Sequence, residues 1–323
     1  MGEIFVLVEH RQGEIRDISY EMLWKADELC RNHSHQLTAV VLGGKDAKAL
    51  ADGFADRADK VLVAADERLE AFDVDLYKEV LLGLIQEHKP FLVMMPHSPW
   101  GMDLAPAISM KTGCPLATDC VDILVENERP KVVRQIYTGK IYSKVSMKES
   151  ETYLITVRAS AFPPEKPEEA RKGEVVEAGL PAELPESRRR FVAFEDVGAG
   201  EVDITQAELL VSVGRGVGEQ ENIEVVKELA EKMGGMLACS RPVVDKNWLP
   251  KYHQVGTSGK SVKPKVYLAL GISGAFQHVA GISGAGTVIA VNKDAKAPIF
   301  RVADYGVVDD LFNVVEAVKE KLS

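Results

Sequence analysis

Short, continuous apolar runs recur along this chain, separated by stretches with helical spacing, and the pattern occurs twice. Ile4 to Val8, Leu37 to Leu42, Val61 to Ala64 and Phe91 to Met95 read as strands uninterrupted enough to be covered on both faces. Tyr20 to Cys30, Asp46 to Ala55 and Leu76 to His88 carry helical periodicity between them. Strands alternating with helices mean a parallel α/β sheet. After Met95 a turn through Pro96 and Gly101 leads to a helix near Leu104 to Thr112. Then Cys120 to Val125, Val132 to Tyr137, Ile141 to Val145 and Tyr153 to Val157 follow one another without helices, which predicts an antiparallel tail.

From Ala161 to Arg190 the pattern stops. Pro163, Pro164, Pro167, Pro181 and Pro185 lie here among Glu, Lys and Arg, five of the chain's 15 prolines. Such a segment reads as an extended linker that buries little, with Arg188 to Arg190 a solvated face. The boundary falls near Arg190, giving an N-terminal α/β domain with linker over 1–190 and a second α/β domain over 191–323. In the second, Leu209 to Val213, Leu237 to Cys239, Val266 to Leu270 and Thr287 to Val291 are strands, Asn222 to Met233 a helix and Asp309 to Leu322 a closing amphipathic helix. The fold class expected is two doubly wound parallel-sheet domains, the first with an added antiparallel segment, joined by a Pro-rich linker.

Composition narrows the function. A formal net charge of -10 opposes sequence-independent nucleic-acid binding, which needs a basic face to replace counterions. No run approaches the ~18 apolar residues of a membrane span. The N-terminal residues Met1 to Val6 carry no basic signal region, so the chain reads as cytoplasmic and unprocessed. Cys30, Cys114, Cys120 and Cys239 form no C-x-x-C pair and read as buried thiols, with no metal site. No nucleophile, base and orienter come together in the pattern, so no catalytic residues are assigned.

Open α/β sheets bind ligands beyond the carboxyl ends of their strands, so the residues after each second-half strand matter most. Gly214-Arg215-Gly216-Val217-Gly218 follows the first. It is close to a dinucleotide fingerprint, but its third glycine comes one residue early, and a plain tight turn is the alternative. Ser240-Arg241 ends the second strand, with a cation where a NAD site would place an acid. Val255-Gly256-Thr257-Ser258-Gly259-Lys260 offers hydroxyls and amides, without the spacing of a Walker loop. Gly-Ile-Ser-Gly-Ala occurs twice, from Gly271 and from Gly281; the first copy opens a short helix carrying Gln277 and His278, and the second makes a turn. Asn292 after Val291, and Asp304-Tyr305 after an expected strand Ile299 to Val302, complete the ring.

Taken in order, Gly214-Arg215-Gly216, Ser240-Arg241, Val255-Gly256 with Gly259-Lys260, Gly271 to His278, Val291 to Asp294 and Ala303 to Gly306 resemble the FAD-binding domain of electron-transfer flavoprotein α subunits. The resemblance covers nearly all of the second half, and the first half agrees in its strand and helix plan. It implies FAD on the C-terminal domain of a heterodimer, facing a β subunit that holds AMP or a second FAD. Arg241 would lie over the isoalloxazine ring, beside Ser240. Ser258 would stand near flavin N5, in the loop Val255, Gly256, Thr257. His278, protonated or hydrogen-bonding, would meet the pyrimidine carbonyl. Ser273, Gly274, Ala275, Phe276 and Gln277, with Arg215, would follow the phosphates and ribityl chain, and Asn292, Asp304 and Tyr305 the adenosine end. Where the family commonly has Gln-Thr, this chain has Thr257-Ser258, so the hydroxyl survives and the amide is lost.

The implied role is electron carriage without substrate chemistry, from a dehydrogenase, typically an acyl-CoA dehydrogenase, to a quinone oxidoreductase, as in fatty acid oxidation. An electron-bifurcating complex within the family is an alternative. An NADP-dependent dehydrogenase using Arg241 on a ribose phosphate, or a binding module without electron exchange, are others.

Overall fold

A computed structural model describes residues 2–137, 141–166, 170–181, 183–193 and 203–322. The chain divides into two compact units, residues 1–193 and 194–323.

The first unit runs through β1 (Glu3–Leu7), a small hairpin of β2 (His10–Arg11) and β3 (Glu14–Ile15), α1 (Asp17–His33), β4 (Gln36–Gly43), α2 (Ala47–Asp52), β5 (Lys60–Ala65), α3 (Val74–His88), β6 (Leu92–Pro96) and α4 (Pro99–Thr112). It continues with β7 (Leu116–Glu126), β8 (Arg129–Ile136), β9 (Ile141–Ser146), β10 (Tyr153–Val157) and β11 (Glu174–Glu177). Apart from the hairpin these strands form one sheet, in the order β11-β5-β4-β1-β6-β10-β7-β8-β9. Alternation along β1 shows why it needs two layers of cover. Ile4, Val6 and Val8 pack with α1 on one face, and Phe5 and Leu7 with α3 and α4 on the other.

In this unit the structure corrects three expectations. Helix α4 begins at Pro99, capped by Ser98, whose hydroxyl accepts from the Trp100 amide at 3.2 Å. A proline at the first helical position starts the helix a turn earlier than the apolar spacing suggested. Second, β10 is not part of the antiparallel tail. It runs parallel to both β6 and β7, between them, and only β7-β8-β9 are antiparallel. All five β10 residues are buried, as parallel neighbours and helices on both faces require. Third, the Pro-rich stretch is not a bare linker. Its β11 pairs in parallel with β5, and Val176, Ala178, Leu180 and Leu184 pack against the α3–α4 layer. Arg188, Arg189 and Arg190 are exposed, the solvated face expected, with Arg188 reaching Asp75 at 3.0 Å and Arg189 reaching Asp103 at 3.3 Å in surface ion pairs. Cys30 and Cys120 are buried, their thiols pushed up to about 12 by desolvation, whereas Cys114 is half-buried.

The second unit contains β12 (Leu209–Val213), α5 (Ile223–Lys232), β13 (Met236–Ser240), α6 (Arg241–Asp245), β14 (Gln254–Val255), β15 (Val266–Leu270), α7 (Phe276–Ala280), β16 (Thr287–Val291), β17 (Tyr305–Val307) and α8 (Leu311–Lys321). Its strands are all parallel, in the order β14-β13-β12-β15-β16-β17. Counted from β12, this is the 3-2-1-4-5-6 order of a dinucleotide-binding sheet. Helices α5 and α8 cover one face through Val226, Leu229, Leu311 and Val315. The other face packs mainly on loops, through Val262, Ile272, Ile282 and Ile299. The expected strand at Ile299 to Val302 is a 3-10 turn, Pro298–Arg301, and the last strand starts at Tyr305. Among the described residues no helix is long and apolar enough to cross a membrane.

Ile155 tests the placement of β10. It is fully buried on the α1 face. Ile155→Ala should lower stability by about 2 to 5 kcal/mol, the scale of a core deletion, in urea titration. A loss under about 1 kcal/mol would return β10 to a one-sided arm.

Candidate functional site

Crossovers leave β12 and β15 in opposite directions, so their carboxyl ends open a crevice. A cavity of about 580 Å³ lies there, within the range of small-molecule sites. After β12 it is lined by Arg215, after β13 by Ser240 and Arg241, and after β14 by Val255, Gly256, Thr257 and Ser258. After β15 come Ser273, Ala275, Gln277 and His278, and after β16 Asn292. Five separate loops therefore meet at one place.

Two glycine contacts allow that convergence. Gly271 has φ +62, and a Cβ there would come within 2.9 Å of the Gly216 Cα, so the β12 and β15 loops touch backbone to backbone. At Gly256, with φ +135, a Cβ would come within 2.8 Å of the Gln277 carbonyl oxygen. The Thr257 amide donates to that same oxygen at 2.9 Å, knitting the β14 loop to α7.

Four expected residues lie elsewhere. Gly274 faces the 3-10 turn, where its Cβ would meet the Ile299 nitrogen at 2.2 Å. Phe276 opens α7, half-buried, without lining the cavity. Asp304 and Tyr305 are at the wrong end of the sheet. Tyr305 pairs with Ile289, and the Asp304 carboxylate accepts from the Val288 amide at 2.8 Å, so both stand where β17 begins. Taking Ile299 to Val302 for the strand had turned a strand entrance into a strand exit. Conversely, Gly216, Pro242, Asp245, Gly271 and Ile272 line the cavity without having been assigned to it. The helical spacing of Arg241 and Asp245, four residues apart, was the available signal for the acid.

The polar groups differ in how far they are committed. Arg241 is exposed, its Nε 3.4 Å from the Asp245 carboxylate. Arg215 is exposed as well. The Ser258 hydroxyl accepts from the buried Gln254 amide at 2.8 Å, which leaves its own proton to donate outward. Asn292 gives its amide to the Ile272 carbonyl at 2.9 Å, so it braces the β15 loop. His278 is 6% exposed, with Nδ1 3.1 Å from the Val255 carbonyl and Nε2 2.8 Å from the Tyr267 hydroxyl. Burial lowers its pKa to about 4, so of the two expected forms, protonated or hydrogen-bonding, the buried ring has the neutral, hydrogen-bonded one. The Cys239 thiol, on β13, is pushed up to about 12 by burial alone.

The family model described as "Electron transfer flavoprotein domain" matches residues 4–183, and "Electron transfer flavoprotein FAD-binding domain" matches residues 203–283. The chain belongs to the electron transfer flavoprotein α-subunit family. An "Electron transfer flavoprotein subunit alpha" of Methylophilus methylotrophus is 35% identical, with 100% of both chains covered. One of Bacillus subtilis is 32% identical over 99% of this chain and 98% of its own. A "Protein FixB" of Clostridium saccharobutylicum is 36% identical over 97% and 93%. The family carries electrons on bound flavin, and its members are carrier subunits, not enzymes with a substrate reaction.

The second unit's cavity fits FAD in its donor set. Two guanidinium groups suit a diphosphate and a ring that gains negative charge, and three serine hydroxyls with loop amides suit the carbonyls and hydroxyls of the cofactor. Among the described residues no cluster of His, Cys, Asp and Glu could hold a metal ion.

The neutral His278 sets a pH dependence. Its folded pKa lies below its ordinary value, so the unfolded chain takes up the proton first, and stability falls as pH drops from about 6.5 toward about 4. The loss should reach at most about 3 kcal/mol and level off below the folded pKa. Urea titrations of flavin-free protein at pH 7 and 4.5 should show a steeper acid loss for the native chain than for His278→Asn. Equal losses would mean that the ring is not held neutral.

Proposed function

We propose that this chain is the flavin-bearing half of a heterodimer that takes electrons from a dehydrogenase, with acyl-CoA dehydrogenases the partner class, and passes them to a quinone oxidoreductase. The observation that carries this reading is the cavity at the carboxyl ends of β12 to β16, which combines exposed cations with hydroxyl donors. FAD bound there supplies a store for one or two electrons whose reduced ring carries negative charge. In this reading Arg241 lies over that ring, beside Ser240, and favours the charge. Ser258, its hydroxyl turned outward by Gln254, donates at the N5 edge. Arg215 and Ser273 to Gln277 follow the phosphates and ribityl chain, and Asn292 holds the loop at the adenosine end.

Removing the cation should leave the fold intact, because Arg241 is exposed and buries no core surface. Arg241→Ala should lower the flavin reduction potential by an amount on the order of 50 mV, the worth of one charge-assisted hydrogen bond. Redox titration of native and variant protein measures it, and an unmoved potential with FAD still bound would make Arg241 structural.

The first unit supports the partner. Strand β9 is the sheet's edge, and Ile136, Tyr137, Ile141, Tyr142 and Val145 leave apolar side chains exposed on and beside β8 and β9. An apolar edge of that kind suits a second α/β subunit, which holds AMP or a second FAD of its own. Expressed alone, the chain should aggregate and lose FAD; co-expressed with that subunit it should yield a yellow 1:1 complex. A stable, FAD-saturated monomer in sedimentation would overturn the heterodimer.

A further inference from the structure

In the turn after β14, backbone and side chain do separate things. Main-chain bonds fix its path: the Lys260 amide donates to the Gln254 carbonyl at 2.8 Å, the Gly256 amide to the Lys260 carbonyl at 3.1 Å, and the Gly259 amide to the Gly256 carbonyl at 3.0 Å. Gln254 itself is held in β14, opposite Cys239 of β13. Its side chain takes no part in those bonds. It is buried, and its Nε2 donates to the Ser258 hydroxyl at 2.8 Å. Among the described residues that hydroxyl has no other partner. An amide N–H gives a proton and cannot take one. Gln254 therefore fills one lone pair of Ser258 Oγ and leaves the hydroxyl proton for whatever enters the cavity that Ser258 lines. To receive a hydrogen bond there instead, the hydroxyl would have to turn its proton away from the entering group, and among the described residues no acceptor waits for it.

We propose that Gln254 is a positioning residue that makes Ser258 a donor toward the cavity, so that the site favours a flavin N5 without a proton. The proposal rests on reading the cavity as the flavin site, with Ser258 at the N5 edge. An N5 lone pair accepts the Ser258 proton. An N5–H group would meet it donor against donor, and one hydrogen bond would be lost. One electron taken from the dehydrogenase then adds one negative charge to the ring, with no proton arriving at N5. Arg241, exposed on the same cavity rim, answers that charge. The two residues thus have different tasks: Arg241 sets how favourable the charge is, and Gln254, through Ser258, whether a proton cancels it. The other titratable groups lining the cavity are Arg215, Asp245 and His278. His278 is neutral above about 4, so a proton response at neutral pH does not come from its ring.

The test uses the co-purified flavoprotein complex, reduced stepwise with dithionite between about pH 5.5 and 9. The optical spectrum separates a one-electron-reduced ring without a proton at N5, which is red, from one protonated there, which is blue. Native protein should be red at pH 7 and above, with a first-electron potential that does not move with pH in that range. Gln254→Met keeps the buried volume and removes the N–H, so Ser258 can turn a lone pair to the ring. The affinity of N5 for its proton should then rise about three- to tenfold, the value of one hydrogen bond, and the red-to-blue change should move to higher pH. Gln254→Glu, of the native size, should move it the same way once its carboxylate is ionised and takes the Ser258 proton, and it carries the test if the methionine variant loses FAD. A blue native form at pH 7, an unmoved colour change in variants that retain FAD, or no blue form in any of the proteins overturns the proposal. Failure of the flavin reading itself looks different: Ser258→Ala then leaves colour, potential and FAD affinity untouched.

Discussion

Parallel pairing between β12 and β15 is the constraint on which the second unit depends. Five residues of each strand pair in register, from Leu209 with Val266 to Val213 with Leu270. Because the crossovers from these two strands go opposite ways, their loops separate and leave a crevice that neither covers. Everything that lines the cavity is placed by distance from that pair. The β13 and β14 loops supply the cation and the hydroxyl from one side, and α7 and Asn292 close it from the other. Backbone contact between Gly216 and Gly271 keeps the crevice narrow, since a side chain at either position would push the loops apart.

What could be read from the amino-acid pattern followed from buried, continuous strands. β1, β4, β5, β6, β12, β15 and β16 announce themselves because parallel strands covered on both faces are apolar at every position. The loops after them announce themselves through glycine and hydroxyl residues, and most of the cavity lining was legible on that ground. The misreadings share a cause too. Tyr153 to Val157 looks alike whether it is an edge or a centre strand, and only the three-dimensional return of the chain puts it between β6 and β7. Pro298 to Arg301 is apolar enough to pass for a strand, yet its proline and 3-10 hydrogen bonds make a turn that shifts β17 by several residues. Asp304 and Tyr305 moved with it. The contact between Tyr267 and His278 could not be read from the pattern, because a tyrosine inside an apolar run reads as core, and its partner eleven positions on becomes a neighbour only when α7 folds back over the sheet.

Charge around the cavity is sorted by depth. Arg215 and Arg241 are exposed, while the groups beneath them, His278, Tyr267 and Cys239, are held uncharged by burial. A low-dielectric floor under a polar rim strengthens the field of the rim charges at whatever lies between. Asp245 moderates that field, since its carboxylate already shares Arg241. The electrostatic character of the site is therefore set by the Arg241–Asp245 pair on one short helix together with Arg215 after β12, above a neutral floor.

The outer strand β9 has a consequence in the life of the chain before any electron moves. Both of its faces are open, with Ile141, Tyr142 and Val145 displayed beside an unpaired backbone edge. Such a strand is a template for whatever extended segment arrives first, including a second copy of itself. The rate at which a copy is captured wrongly rises with the square of the concentration of unaccompanied chains, whereas the rate of capture by a different occupant rises with that concentration only to the first power, multiplied by the occupant's own. In the proposed heterodimer a partner supplied in matching amount would cover this edge before a second copy does.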